Sequence, residues 1–191
     1  LQGQFEKALE SALSQAELLA AYEDDMHVAL GANVADCEIA LGRLSQAEAR
    51  SREALAALGS AVHTVVNAGH VFDVLMLSLT LQERFEEAIS VGRQARPLLE
   101  IEGSEVRLLE PLAICAAGQH RHVDAARIAG YVDEALSSTG EVRWPAVMAR
   151  RKTLDAMLAS ASLPDVLRQH LQVERRLTRQ QAFILALPDA D

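Results

Sequence analysis

Aromatic side chains make up only 4% of this 191-residue chain, which excludes a core built on stacked rings. Long apolar runs are also missing. No stretch approaches the roughly 18 residues that a membrane span requires, and no charged segment followed by a continuous hydrophobic one opens the chain. These absences predict a soluble, cytoplasmic protein with no membrane partner. Cysteine is limited to Cys37 and Cys115, each in an Ala/Leu-rich setting, so free buried thiols in a reducing compartment explain them better than a disulfide. Basic residues are outnumbered, 18 against 27 acidic, and the net charge of -9 disfavours direct attachment to a nucleic-acid backbone. The locally basic stretch Arg168 to Arg179 has no interleaved aromatics to stack on bases and reads as a solvated helix end. A glycine-rich phosphate loop ending in Gly-Lys-Ser/Thr, a Gly-x-Ser-x-Gly elbow, a His-Glu-x-x-His pair and cysteines at zinc-finger spacing are all missing. The chain is therefore expected to have no catalytic, cofactor or metal site.

What is present is apolar and helix-forming. Half of the residues are hydrophobic, enough for one sizeable core, and alanine and leucine dominate. Both cost little side-chain entropy in a helix, and alanine lets helix backbones approach closely.

Sliding the chain against itself superposes Gly3–Ala8, Gly42–Ala47, Glu83–Ala88 and Arg121–Ala126, whose closing alanines are 39, 41 and 38 residues apart. Each segment reads as a turn entering a helix, with an apolar residue three positions before the alanine on the same face. One helical turn further on stands another small residue, Ala12, Ser51, Gly92 or Gly130, completing a flat stripe for a neighbouring helix. Helical stretches at about His27 to Leu41, Val62 to Leu81 and Glu105 to Ala117 supply the first helix of each pair, with joints around Ala57 to Ser60, Leu99 to Ser104 and Ser137 to Glu141. Gly59, Gly103 and Gly140 punctuate the joints, and Pro97 stands near the end of one second helix. The expectation is an all-α, right-handed superhelix of antiparallel helix pairs in degenerate units of 38–41 residues, forming a single domain over 1–191. Its parts are a half repeat at 1–26, units at 27–60, 61–101 and 102–138, and capping helices at 139–191. A chain that opens on the second helix of a pair is expected to have further polypeptide upstream. In the last part, helices are expected from about Trp144 to Leu158, after Ser162-Leu163-Pro164, and from the capping box Thr178-Arg179-Gln180-Gln181 to Leu187, ended by Pro188.

The register Leu44, Ala47, Ser51, Ala54 and its return as Phe85, Ala88, Gly92, Ala95 resembles the second-helix half of the tetratricopeptide signature. The first-helix Trp and Leu-Gly hallmarks are missing, and Met76 and Ile114 stand where that family has small residues. Asp124 to Ala135, with Ala125-Ala126-Arg127 and Gly130, together with Trp144-Pro145 and the ending Leu177 to Leu187, resembles the C-terminal helical-repeat tail of large bacterial transcriptional regulators that carry a winged-helix domain and a signalling ATPase. The resemblance implies a bacterial module for protein binding and transcription regulation, without the family's ATP- or DNA-binding residues.

His120-Arg121-His122 is explained by an exposed turn rather than a metal site, and His63, His70 and Asp73 by a solvated first-helix face rather than an enzyme pocket. Trp144 reads as a structural anchor. If the first helices line the inner face, Asp36, His70, Asp73, Leu77, Leu108 and Cys115 form a mixed polar and apolar surface suited to a protein segment. The functional expectation is a non-catalytic interaction and sensing module that contacts upstream domains of its own polypeptide or a regulatory protein. The alternatives are a free-standing scaffold or oligomerisation domain, self-associating through its first half repeat, and a sensor holding an apolar small molecule.

Overall fold

The computed structural model describes residues 2–19, 26–59, 68–140, 145–161 and 177–188. Among these the secondary structure is entirely helical: α1 (Gln2–Leu19), α2 (Met26–Ala40), α3 (Leu44–Leu58), α4 (Ala68–Leu81), α5 (Phe85–Glu102), a 3-10 turn (Glu105–Leu108), α6 (Leu109–Gly118), α7 (His122–Thr139), α8 (Pro145–Ser160) and α9 (Arg179–Ala186). Neighbours in sequence pack as antiparallel pairs, α2 with α3, α4 with α5 and α6 with α7. The first helices of successive pairs also meet directly, α2 with α4, α4 with α6 and α6 with α8. Helix α4 is therefore enclosed. Val71 and Val74 face Ala32, Ala35 and Ala47, whereas Phe72, Leu75, Met76 and Leu79 face the larger core built from α5 to α9.

The turns inside the three pairs are copies of one another. Gly42, Glu83 and His120 adopt left-handed φ angles of 74°, 60° and 63°. The following amides of Arg43, Arg84 and Arg121 donate to Glu38 O, Leu79 O and Ala116 O at 2.8, 3.0 and 2.8 Å, closing a Schellman motif each time. Each arginine then opens the next helix by accepting from the amide of Ala47, Ala88 or Ala125. This geometry corrects the third frame by one residue: Ala125 and Ala129, rather than Ala126 and Gly130, occupy the positions of Ala47–Ser51 and Ala88–Gly92. The reason is that His120, not Arg121, takes the left-handed position that Gly42 fills in the first turn. The first frame is corrected too. Gln2–Leu19 is continuous helix through Gly3, and Leu9 is buried while Ala8 is exposed, because α1 packs on α2 with a different face.

Pro97 stands near the end of a second helix as expected, and α5 continues past it to Glu102 before its left-handed cap at Gly103, inside the expected joint. Proline removes one helical hydrogen bond, but Ala95, Leu98 and Leu99 on the same helix are buried and keep it in place. The capping box at Thr178 forms as expected, the Gln181 amide donating to Thr178 Oγ1 at 3.3 Å and the Thr178 amide to Gln181 Oε1 at 2.9 Å. The Trp144 anchor, the helix expected after Ser162 and the basic residues before Leu177 lie outside the described residues.

Close approach depends on missing side chains. A Cβ at Gly118 would stand 2.2 Å from the Phe85 ring, and one at Gly92 would stand 3.0 Å from Met76 Sδ. Between units, the turn glutamines reach back to the preceding second helix, Gln82 Nε2 to Glu48 Oε2 at 3.0 Å and Gln119 Nε2 to Glu86 Oε1 at 2.6 Å. Arg84 Nη1 and Arg52 Nε complete the Glu48 cluster at 2.7 and 2.9 Å.

Two predictions follow from this packing. Gly118→Ala must displace the Phe85 ring and is expected to cost about 1–3 kcal/mol, whereas Glu83→Gly relieves a left-handed non-glycine residue and is expected to gain about 0.5–1 kcal/mol; urea titrations of both variants check the pair. Burial raises the Glu48 carboxyl, but hydrogen bonds from Gln82, Arg52 and Arg84 outweigh it and hold the group below its ordinary range. Its contribution is thus full above the unfolded value near ~4.3 and is lost as pH falls through the lower folded value. Glu48→Gln is expected to be the less stable chain at pH 7, and the difference should close below about pH 4 in unfolding midpoints measured across that range.

Candidate functional site

Of the places at which polar side chains from different helices meet, two are candidates for a functional site. The first lies along the first helices. Asp36 on α2 meets His70 on α4, with Oδ2 and Nε2 3.0 Å apart and both side chains partly exposed. One turn along α4, the Asp73 carboxylate is fully buried. Arg107 Nη2, from the 3-10 turn, lies 3.1 Å from one of its oxygens, and Arg150 Nη1, from α8, lies 3.7 Å from the other. Neither oxygen closes a well-aligned hydrogen bond, so Coulomb attraction from two sides holds the carboxylate. Arg150 is itself buried, whereas the Arg107 side chain is 48% exposed. Asp73 therefore draws the Arg107 guanidinium toward this face by charge, and the exposed part of the side chain can donate to an incoming carboxylate or carbonyl.

Of the six residues expected on this face, Asp36 and His70 come together, and Asp73 lies beneath Arg107. Leu77, Leu108 and Cys115 are buried in the packed interior and contribute no surface. The physical reason is that α4 and α6 have neighbours on nearly every side, so few first-helix positions remain open. Burial also pushes the Cys115 thiol up to about 11, although Thr80 Oγ1 lies 3.4 Å from its sulfur. That environment suits an inert core thiol rather than a nucleophile. Arg107 and Arg150 were not expected at the site; the pairing of Asp73 with arginines 34 and 77 positions away leaves no local trace in the sequence.

The second place is a groove walled by α5 and α7 and floored by α6, in which α9 lies. Arg179, in its first turn, bonds Glu100 Oε1 at 2.9 Å and Glu105 Oε1 at 2.7 Å. Phe183 is buried beneath the guanidinium of Arg96, whose central carbon stands 4.4 Å from the ring centroid. Arg121 Nη1 donates to Leu185 O at 2.8 Å, and Arg93 donates to Pro188 O. Ala182 and Ala186 are buried beside Phe183, and Leu187 stands over Gly92.

His120 and His122 flank the third turn with their rings edge to face, 5.9 Å between centroids. Among the described residues no cluster of three His, Cys, Asp or Glu side chains is arranged to hold a metal ion, and no helix is long and apolar enough to cross a membrane. His63 lies outside the described residues. Comparison of the chain with protein-family models, with curated proteins and with solved structures finds no match.

The charge arrangement separates two kinds of residue. Asp73→Ala would leave Arg150 buried without its counter-charge and is expected to destabilise the chain by about 3–5 kcal/mol, whereas Arg107→Ala leaves Asp73 its second cation, Arg150, and is expected to cost less than that. Thermal and urea unfolding of the two variants measure the contrast; equal losses would show that Arg107 belongs to the core.

Proposed function

We propose that this chain is a non-catalytic protein-interaction and sensing module, a tetratricopeptide-like right-handed superhelix serving as the C-terminal part of a larger bacterial transcriptional regulator in the cytoplasm. Three turns of one geometry and the direct stacking of first helices support the repeat architecture. The observation that carries the functional reading is the set of polar groups along the first-helix side, Asp36 on α2 with His70 on α4, and Arg107 of the 3-10 turn beside the buried Asp73 of α4. It offers an acceptor, an imidazole and a guanidinium. Such a set of groups fits a protein segment carrying a carboxylate, since a guanidinium pairs with a carboxylate through two parallel N–H donors and its approach to Asp73 restricts its freedom before the partner arrives. Arg107 fixes the register, and His70 with Asp36 reads a second polar group nearby.

The test is a binding titration between this chain and the region encoded upstream of it in the same gene, with Arg107→Ala and His70→Ala as variants. Saturable binding, weakened about tenfold by either substitution while the circular dichroism stays unchanged, is the expected result. Binding that is indifferent to both substitutions moves the contact away from the first-helix face. A gene that encodes no signalling ATPase upstream favours a free-standing scaffold instead.

A further inference from the structure

Helix α9 runs antiparallel to both walls of its groove. Arg179 lies at the Glu100 end of α5, Phe183 under Arg96 and Leu187 over Gly92, while Leu185 is held by Arg121 at the start of α7. The groove's charges are sorted along that direction. Glu100 and Glu105 stand at the end that receives the N-terminus of the helix, and Arg93 and Arg121 donate to main-chain carbonyls at the end that receives its C-terminus. A helix macrodipole is positive at its N-terminus and negative at its C-terminus, so this gradient favours one orientation and opposes the reverse. Two of the polar contacts are made to carbonyl oxygens that any helix ending there would present. Residue-specific contacts include Arg179 against the two glutamates, Phe183 with its small neighbours Ala182 and Ala186 in the apolar centre, and Leu187 against Gly92.

The occupant is also poorly able to persist alone. Eight residues are too few for a stable helix in water, so the helicity of α9 depends on the groove. The helices that form the groove also pack on one another directly, α5 on α6 and α6 on α7.

We propose that the α5–α7 groove is a directional helix-binding site, and that α9 is its exchangeable occupant in cis, standing in the place of a helical segment of a protein partner. The partner segment carries a basic residue in its first turn, an aromatic residue four positions later between small residues, and a helix end one turn beyond. This deepens the reading of the chain as an interaction module and rests on it, but through a different surface from the one bearing Arg107 and His70.

The probe is a fluorescent synthetic peptide of residues 177–188, titrated against the full chain and against its Phe183→Ala variant. The variant loosens the cis helix and opens the groove, so the peptide is expected to bind it saturably and at least about tenfold more tightly than the wild-type chain, where α9 competes at high effective concentration. Arg179→Glu in the peptide is expected to weaken binding about tenfold, with recovery when Glu100→Arg is added to the Phe183→Ala chain. Absence of saturable binding to either chain, or equal binding of a peptide with the reversed sequence, overturns the proposal. Hydrogen exchange of the wild-type chain covers the case in which Phe183→Ala unfolds: α9 amides should exchange well ahead of those in α6, and exchange of both in step would make α9 an inseparable part of the core. Loss of upstream binding in the Arg107→Ala chain, with peptide binding intact, would assign the two surfaces to separate partners.

Discussion

Nearly everything in this molecule depends on how closely the backbone of one helix can approach the next. With few rings available to bridge wide gaps, the core is assembled from alanine, glycine and medium-sized aliphatics, and packing at native density requires short interaxial distances. Ala47 with Ser51, Ala88 with Gly92 and Ala125 with Ala129 meet that need on the second helices. Gly118 meets it most sharply, leaving room for the edge of Phe85. The large Met76, in a place where a small residue was expected, is accommodated from the opposite side, because Gly92 gives up the volume that Met76 occupies. Size is thus conserved across the contact rather than at each position.

Close packing makes the unavoidable polar groups costly, and the structure handles them by pairing. Glu38 is buried and takes Arg50 through both of its oxygens. Glu48 collects a glutamine and two arginines at the joint between the first and second pairs. Asp73 is the extreme case, a fully buried carboxylate between two arginines that come from a different unit and from the capping region. A charge in that position ties α4, the 3-10 turn and α8 to one arrangement, since any other would strand it without a partner. The same constraint that excludes water from the core therefore draws Arg107 toward the first-helix face by charge.

The C-terminal helix shows the other side of the same physics. It has too few residues to be helical by itself and a single charged side chain, and it depends on a groove whose polarity matches its own dipole. The buried Phe183, the alanines beside it and the sorted charges together place it. The groove is consequently selective for direction as well as for composition.

Much of the architecture was legible along the chain. The turn frames ending in Ala47 and Ala88, the first and second helices of each pair within the described residues (the expected start at Val62 lies outside them, and the one at Glu105 is a 3-10 turn), the capping box at Thr178 and the glycine caps at Gly59, Gly103 and Gly140 follow from local rules, in which spacing of 3.6 residues, hydroxyl capping and left-handed conformations act over a few residues. The frame at Ala125 was displaced by one residue because His122 stands where the apolar Leu44 and Phe85 mark the other frames, and the apolar Val123 beside it took that place; α5 runs past Pro97 to its expected joint because burial along the helix outweighs the bond that proline removes. The site was legible only in outline: Asp36 and His70 could be placed on neighbouring first helices, but the burial of Leu77, Leu108 and Cys115 and the pairing of Asp73 with Arg107 and Arg150 could not. By itself, then, the sequence determined which segments are helical and where most of them turn, because those are short-range energies. The tertiary structure alone decided which faces are covered, which charges meet and where α9 lies, because burial and Coulomb interactions depend on distances between residues that the order of the chain does not specify.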